Sequence, residues 1–501
     1  MKLTAKHSVS LFLSCLLAVS ALASCGGGDT TSTVQTDAGT VGTAATEPTE
    51  TTEARILPDL PEADFEGYNF RVAHWEMAGW ESRACIDIYA EAENGETIND
   101  AVYMRNLAVT DRYNFNISLE NVDFNELVTR VRNAVNGGED AYDLAYLRLF
   151  EGKNLVSSGY YVDFNTIPNI DLSKPWWDAG CVESLTVDGK LYLAASSINV
   201  SDENATAGIL FNKQIAADND MEDPYQLVRD GKWTMDKMRE LYSNVSKDVN
   251  GDGSMGAEDL WGFLGGTDVV SCFYLGGGGT VVSRDKDGGL YDSLGSEKNF
   301  AIIEKVQALM TDEDNFYNHH LGTQDLASTD DNEYRDLFSG GHGLFFWTRM
   351  DEVTTLRGME TDFGILPTPK YDEAQDKYIS FVSQHIMGLM TVPNSASNLE
   401  RTGTILEALA AESYYTVTPA YYEVALKTKG SRDDESAEML DTIFSNRIYD
   451  IGEYYNFGSI FDAINTVCQN KSKGMASEYE KKKTAFTKAL DKWVEQIEGL
   501  E

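Results

Sequence analysis

Beyond about residue 60, short apolar runs and helical stretches take turns along the chain, and this alternation limits the fold more than any other feature. Phe70-Arg71-Val72-Ala73-His74-Trp75 has the pattern of a half-buried strand after Gly67-Tyr68. Thr97-Ile98-Asn99-Asp100 gives a polar start to a helical spacing over Ala101 to Val109. Asn116 to Leu119 reads as a second strand, Asp123 to Val135 as a second helix, and Asp143 to Leu147 as a third strand. Strands alternating with helices predict a mostly parallel α/β sheet, whose ligands sit beyond the carboxyl ends of the strands.

The pattern continues with the segments Gly189 to Leu193, Gly208 to Lys213 and Gly231 to Asp236, in which Thr234 is placed to cap a helix starting near Met235. Gly343 to Trp347 and Phe363 to Pro367 are later strand candidates, and long helices are expected at Arg401 to Glu412, Ser436 to Arg447 and Met475 to Glu498. No internal repeat is evident. The folded part, roughly 440 residues, exceeds one ordinary core and predicts two domains or lobes.

The first residues have a different character. Lys2, Lys6 and His7 precede an apolar run from Val9 to Leu22, and Leu22-Ala23-Ser24-Cys25 follows. A short basic region, an apolar core and small residues form a secretion signal rather than a spanning helix. The last four residues resemble a lipobox, in which cleavage precedes a lipidated cysteine, here Cys25; an ordinary secreted protein is the alternative. From Gly26 to about Arg55 almost nothing large is apolar, so this stretch is expected to be a flexible tether. No later stretch reaches the run of about 18 apolar residues needed to span a bilayer, which predicts an extracytoplasmic protein anchored to the outer face of the cell membrane by its lipid.

A formal net charge of -41 argues against nucleic acid or anionic lipid as a partner, because Lys and Arg must neutralise phosphates. Cys85, Cys181, Cys272 and Cys468 are widely spaced without a CxxC pattern. Buried free thiols and at least one disulfide both fit an exported chain.

Several strings carry a resemblance. They are Asp87-Ile88-Tyr89-Ala90-Glu91 with Glu96 to Tyr103, Asp171-Leu172-Ser173-Lys174-Pro175-Trp176-Trp177-Asp178, Gly189 to Tyr192, Phe211-Asn212-Lys213, Phe363 to Pro367, and Glu407 to Tyr422. In this order, behind a lipobox, the chain resembles the family 1 extracellular solute-binding proteins of ABC importers, the group that includes maltose- and oligosaccharide-binding components. The resemblance implies a periplasmic-binding-protein-like α/β Venus-flytrap fold with a hinge crossed three times. It would divide the chain into a signal peptide (1-24), a lipidated tether (25-59), one lobe of 60-197 plus 382-418, and another of 198-381 plus 419-501. It also implies a monomer that captures a small solute, more readily an oligosaccharide than a peptide or polyol, and delivers it to permease subunits.

Sugar recognition needs flat apolar surface for ring faces and planar polar groups for hydroxyls. Trp75 and Trp80 follow the first strand, with Arg83 and Asp87 nearby; cleft contact and plain core packing both fit the tryptophans. Arg148 and Phe150 follow the third strand, and Arg148 also suits a surface ion pair. Trp347 and Arg349 end the very apolar strand after Gly343. Tyr274 precedes a run of four glycines from Gly276 to Gly279, which suits close approach of backbone to a ligand or a simple flexible loop. Trp176 and Trp177 read as packing between elements, and the tyrosines at 414, 415, 421 and 422 as hinge packing.

Asp248 to Asp259 matches a calcium-binding EF-hand loop at its first, third, fifth, sixth and twelfth positions. Asp248, Asn250 and Asp252 would supply side-chain oxygens, Gly253 the sharp turn, Ser254 a carbonyl and Asp259 the closing carboxylate in place of the usual Glu. An unoccupied acidic turn is the alternative; a bound calcium would be structural. No GxSxG, HExxH or P-loop accompanies the strands, so no enzyme and no catalytic cofactor is expected. A glycoside-acting enzyme and a surface polysaccharide-binding scaffold remain the alternatives.

Overall fold

The computed structural model describes residues 55-76, 87-266, 268-318, 331-426 and 434-500. In chain order the strands are β1 (Tyr68–Glu76), β2 (Phe115–Asp123), β3 (Leu144–Arg148), β4 (Ala207–Asn212), β5 (Trp261–Leu264), β6 (Val282–Arg284), β7 (Leu290–Asp292), β8 (Phe316–Tyr317), β9 (Gly343–Arg349), β10 (Phe363–Leu366), β11 (Ser380–Phe381), β12 (Gly388–Thr391) and β13 (Arg447–Ile448). The helix after β2 is Phe124–Gly137, capped by the Asp123 carboxylate accepting from the Asn125 amide and ended by Gly138 in the left-handed region. Thr234 caps the helix Met235–Tyr242, its hydroxyl accepting from the Lys237 amide, as its sequence position predicts.

Two larger sheets organise the chain. The first has the order β12-β3-β1-β2, with β1 parallel to both neighbours and β12 antiparallel at the edge. The second has the order β10-β4-β9-β5-β8 and is mixed: β4 runs antiparallel to β10 and β9, while β5 is parallel to β9 and β8. The expectation of mostly parallel sheets holds for the first and not for the second. β4 alone runs against the other four strands, and the 13 residues between β9 and β10 carry the chain across it to the sheet edge.

Strand periodicity explains the layers. Phe70, Val72, Leu144 and Tyr146 point into one core, with Trp176, Trp177, Met390, Ile405 and Leu409. Their neighbours Ala73, Trp75, Ala145 and Leu147 point to the opposite face, against Leu127 and Val131. In the second sheet Leu210 and Phe346 share a core with Phe363, Ile365, Val417, Tyr421 and Ile443, while Ile209, Phe211, Phe345 and Trp347 face the other way. Both faces are covered at β3, β4, β9 and β10, which is why these strands read as nearly continuous apolar runs, whereas the edge strand β2 is buried only near its ends.

The chain passes between the two cores three times. The segments 194-206 and 380-391 lie side by side: Ala194 faces Met390 and Thr206 faces Val382 in antiparallel bridges, and the Ser383 amide donates to the Ala205 carbonyl at 2.9 Å. The third passage is the break between the helices Leu399–Tyr415 and Val417–Leu426; Ile405 to Ala411 pack in the first core and Val417 in the second. Two arginines, Arg447 half-buried and Arg105 fully buried, tie these passages together. Arg447 pairs with Asp178, with Asp202 at 3.1 Å and with Glu203 at 3.6 Å. Arg105 bonds the Ile198 carbonyl at 2.7 Å and the Ser413 hydroxyl at 2.9 Å.

Cys181, Cys272 and Cys468 are buried free thiols; Cys85 lies outside the described residues. Burial pushes the Cys272 thiol up to about 12 despite the Thr368 hydroxyl at 3.1 Å. No described helix is long and apolar enough to cross a membrane.

Candidate functional site

The carboxyl end of β3 carries the group of residues that best suits a ligand. There the short helix Leu149–Gly152 starts, and the connector preceding β12 holds it in place: the Leu149 amide donates to the Met387 carbonyl at 2.9 Å and the Phe150 amide to the Gln384 carbonyl at 3.2 Å. Fixed in this way, Phe150 leaves 42% of its surface exposed. Its ring lies 5.1 Å from the His385 ring, tilted by 33°. The Lys153 ammonium stands 4.6 Å from the same ring centre. Arg148 lies over the Phe124 ring at 4.1 Å and donates through Nε to Glu151 at 2.7 Å. An exposed ring flanked by a guanidinium, a carboxylate and an imidazole offers both surfaces that a sugar uses.

Behind the ring lies a buried polar chain. Lys153 donates to the Gln384 side-chain oxygen and to the Tyr454 carbonyl, and Gln384 Nε2 donates to Glu453 at 2.9 Å. Burial holds the Lys153 ammonium down at about 8. Burial pushes the Glu453 carboxyl up to about 8, with the charges of Asp450 and Asp268 adding to the rise. Asp268 in turn lies 4.0 Å from Arg349 at the end of β9, so the chain reaches the second sheet.

The predicted residues therefore fall into three groups. Arg148 and Phe150 sit together at the exposed end of β3. Trp347 and Arg349 sit together on β9 but are buried, Trp347 facing the Cys272 thiol and Arg349 pairing with Asp351 at 3.4 Å. The third group is structural. Trp75 is fully buried on the inner face of β1. The Asp87 carboxylate accepts from the Val200 amide at 2.8 Å, and its burial raises its pKa. Tyr274, read as a loop residue, lies inside the wholly buried helix Val269–Gly276 with its hydroxyl on the Thr280 carbonyl at 2.9 Å. The all-round apolar string Val269 to Leu275 was the signal for that helix. Trp80, Arg83 and Cys25 lie outside the described residues.

Sequence reasoning missed Lys153, Gln384, His385 and Glu453. Lys153 stands in Glu151-Gly152-Lys153, which reads as a solvated turn, and its partners are 231 and 301 residues away. No local pattern announces such contacts.

In the acidic loop, Asp248 accepts from the Gly251 and Gly253 amides at 2.6 and 2.8 Å. Asn250 accepts from the Asp252 amide and Asp252 from the Ser254 amide, each at 2.8 Å. The Asp259 carboxylate takes backbone amides of Gly256, Val249 and Asn250 at 2.7, 2.9 and 3.4 Å, which hold its pKa below the ordinary carboxylate value. The side chains thus form the turn themselves, with Gly251 and Gly253 in the left-handed conformation it requires.

No protein-family model matches the chain, and no curated protein matches it in sequence. Solved structures do. The sugar-binding protein MalE of Xanthomonas citri superposes with a TM-score of 0.56 at 11% identity, over 86% of this chain and 100% of that one. A sugar transporter protein of Rhizobium etli in an open conformation gives 0.55 at 16% identity, over 87% and 100%. The cyclic alpha-maltosyl-1,6-maltose binding protein of Arthrobacter globiformis gives 0.54 at 12% identity, over 86% and 100%. The two packed sheets, the three passages between them and these superpositions together give the chain the periplasmic-binding-protein-like two-lobe α/β fold.

Proposed function

We propose that this protein is a family 1 substrate-binding lipoprotein that captures an oligosaccharide between two lobes and delivers it to the permease of an ABC importer. The single observation that carries the reading is the exposed Phe150 ring beside His385, Arg148 and Glu151 at the carboxyl end of β3. Support comes from the solved neighbours, which are named for sugars or maltodextrins, and from the lipobox at Cys25. Lobes of 60-197 plus 382-418 and of 198-381 plus 419-501 belong to the proposal, as do a monomeric state and attachment outside the cell membrane. Closure works by differential affinity: a solute touching both lobes favours the closed state.

A thermal-shift screen of mono- and oligosaccharides, peptides and polar metabolites tests this. A ligand at about a hundred times its Kd adds about 2.7 kcal/mol to the native state. We expect one glycan series to raise Tm, and Phe150→Ala to weaken that binding by about tenfold or more while leaving the unliganded Tm nearly unchanged. A shift with peptides alone, or with nothing, defeats the carbohydrate reading; turnover of a glycan points to the enzyme instead.

A structural calcium at Asp248, Asn250, Asp252, Ser254 and Asp259 is the other part of the proposal. The side-chain turns at Asp248, Asn250 and Asp252 support it by ordering three oxygen-bearing side chains on one loop. EGTA is expected to lower Tm by several degrees and calcium, not magnesium, to restore it; Asp248→Ala is expected to remove the response. An unchanged Tm in chelator leaves only a self-bonded acidic turn.

A further inference from the structure

Lys153, Gln384 and Glu453 come from three different parts of the chain. Lys153 follows β3, whose core partners belong to the first sheet. Gln384 lies on the connector between β11 and β12. Glu453 lies on the helix Ile451–Tyr455, where Gly452 packs so closely on Val281 and Val282 that a Cβ would stand 2.5 Å from Val281. The side chains of all three are buried, and Glu453 Oε2 has no hydrogen-bond partner. A buried carboxyl with one oxygen bonded and one orphaned is what a protonated acid leaves when its proton is not supplied with an acceptor, and it is a poor setting for a carboxylate. We infer that the chain Lys153-Gln384-Glu453 is a proton-gated lock on the seam between the lobes, which holds the seam shut while Glu453 keeps its proton and loosens it when that proton leaves.

The inference rests on the two-lobe capture reading, since a lock matters only where lobes part. Charged groups acting on Glu453 are Lys153 from the segment after β3, Asp268 from the start of the helix Val269–Gly276, and Asp450 beside it, while Glu151 acts on Lys153. Around Lys153 and Glu453 the carboxylates outnumber the ammonium, so ionised Glu453 adds to an unbalanced negative charge. The sign follows from the direction of each shift. Glu453 rises from its ordinary 4.5 to about 8 when the seam is shut, so the shut seam holds a proton that an opened, hydrated one releases. Raising the pH from 4.5 to 8 therefore favours opening. Lys153 falls from 10.5 to about 8, which acts only above pH 8 and in the opposite sense. Opening is easiest near pH 8, and acidification tightens the seam.

Hydrogen-exchange mass spectrometry on the ligand-free protein, corrected for the intrinsic pH dependence of exchange, reads this without any sugar. We expect amides in 153-156 and 451-455 to lose about tenfold or more of their protection between pH 5 and pH 8, with the helix Met235–Tyr242, away from the seam, as a reference that does not follow. Glu453→Gln, which mimics the protonated acid, is expected to keep the pH 5 protection at pH 8. Lys153→Met should loosen the same two segments at both pH values. Protection that stays flat in the native protein, or a Glu453→Gln variant that loses it as the native protein does, overturns the lock. The sugar screen decides capture separately, so either idea can fail alone.

Discussion

Replacing Arg105 by methionine is expected to lower the free energy of unfolding by about 3 to 5 kcal/mol. The guanidinium is fully buried, and burial lowers its pKa to about 10. Its five hydrogen bonds go to the Asn106 side chain at 2.8 Å, the Ile198 carbonyl at 2.7 Å, the Ser413 hydroxyl at 2.9 Å, and the Asp87 and Ile88 carbonyls at 3.0 and 2.9 Å. Two effects compete. Methionine removes the cost of burying a charge, and where a whole ion pair is replaced by apolar groups the exchange is often neutral or stabilising. Here three of the acceptors are backbone carbonyls, which no substitution at position 105 removes. Ile198 and Ser413 lose their shared tie, and Ile88 keeps only the longer bond from the Asn106 amide at 3.1 Å. Each orphaned buried acceptor costs about 1 to 3 kcal/mol, so the loss outweighs the relief. Arg105→Lys keeps the charge but has three donors instead of five and should fall between. Chemical denaturation of the three proteins decides it; a methionine variant as stable as the native protein refutes the account.

That arginine also shows what sequence reading reaches and where it stops. Arg105 sits one helical turn into the segment identified by its spacing, and the helix is found at Thr97–Tyr113. β1, β3, β4, β9 and β10 fall where their apolar runs predict, and Met475–Glu498 is a single helix. These elements are local: a period of two or of 3.6 residues writes them into a short window. The partners of Arg105 lie 93 and 308 residues away, and no window contains them. The predicted helix Ser436 to Arg447 stops at Ser445, because Arg447 and Ile448 pair with Ser380 and Phe381 to form β13 and β11. In the candidate site Arg148 and Phe150 were legible as polar and aromatic residues after a strand. Their supports at Gln384, His385 and Glu453 were not, since those depend on which connector lies against that strand end.

Removing the Glu407 carboxylate tests a polar cluster that explains a sequence string. Trp176 and Trp177 donate their indole N–H groups to its two oxygens at 3.0 and 2.9 Å, and the Asp171 amide adds a bond at 3.3 Å. The adjacent tryptophans of the string Asp171 to Asp178 are thus held by one acid 230 residues away, from the helix Leu399–Tyr415. Burial pushes that acid up to about 7, against the hydrogen bonds from Trp177, Asp171 and Trp176 that favour its charge. The folded protein therefore binds a proton between pH 4.5 and 7 that the unfolded chain does not, and stability contributed at this position rises as the pH falls through that window. Glu407→Ala leaves two buried indole donors and a cavity, a loss of about 3 kcal/mol at pH 8. The native protein alone gains on acidification, so the gap should widen by about 2 kcal/mol at pH 5, after allowance for partial screening. Other carboxylates titrate in both proteins and cancel in the difference. Denaturant unfolding at the two pH values, followed by tryptophan fluorescence, reads both terms. A gap that is absent, or that narrows at pH 5, means the two indoles are held by their apolar packing and not by the acid.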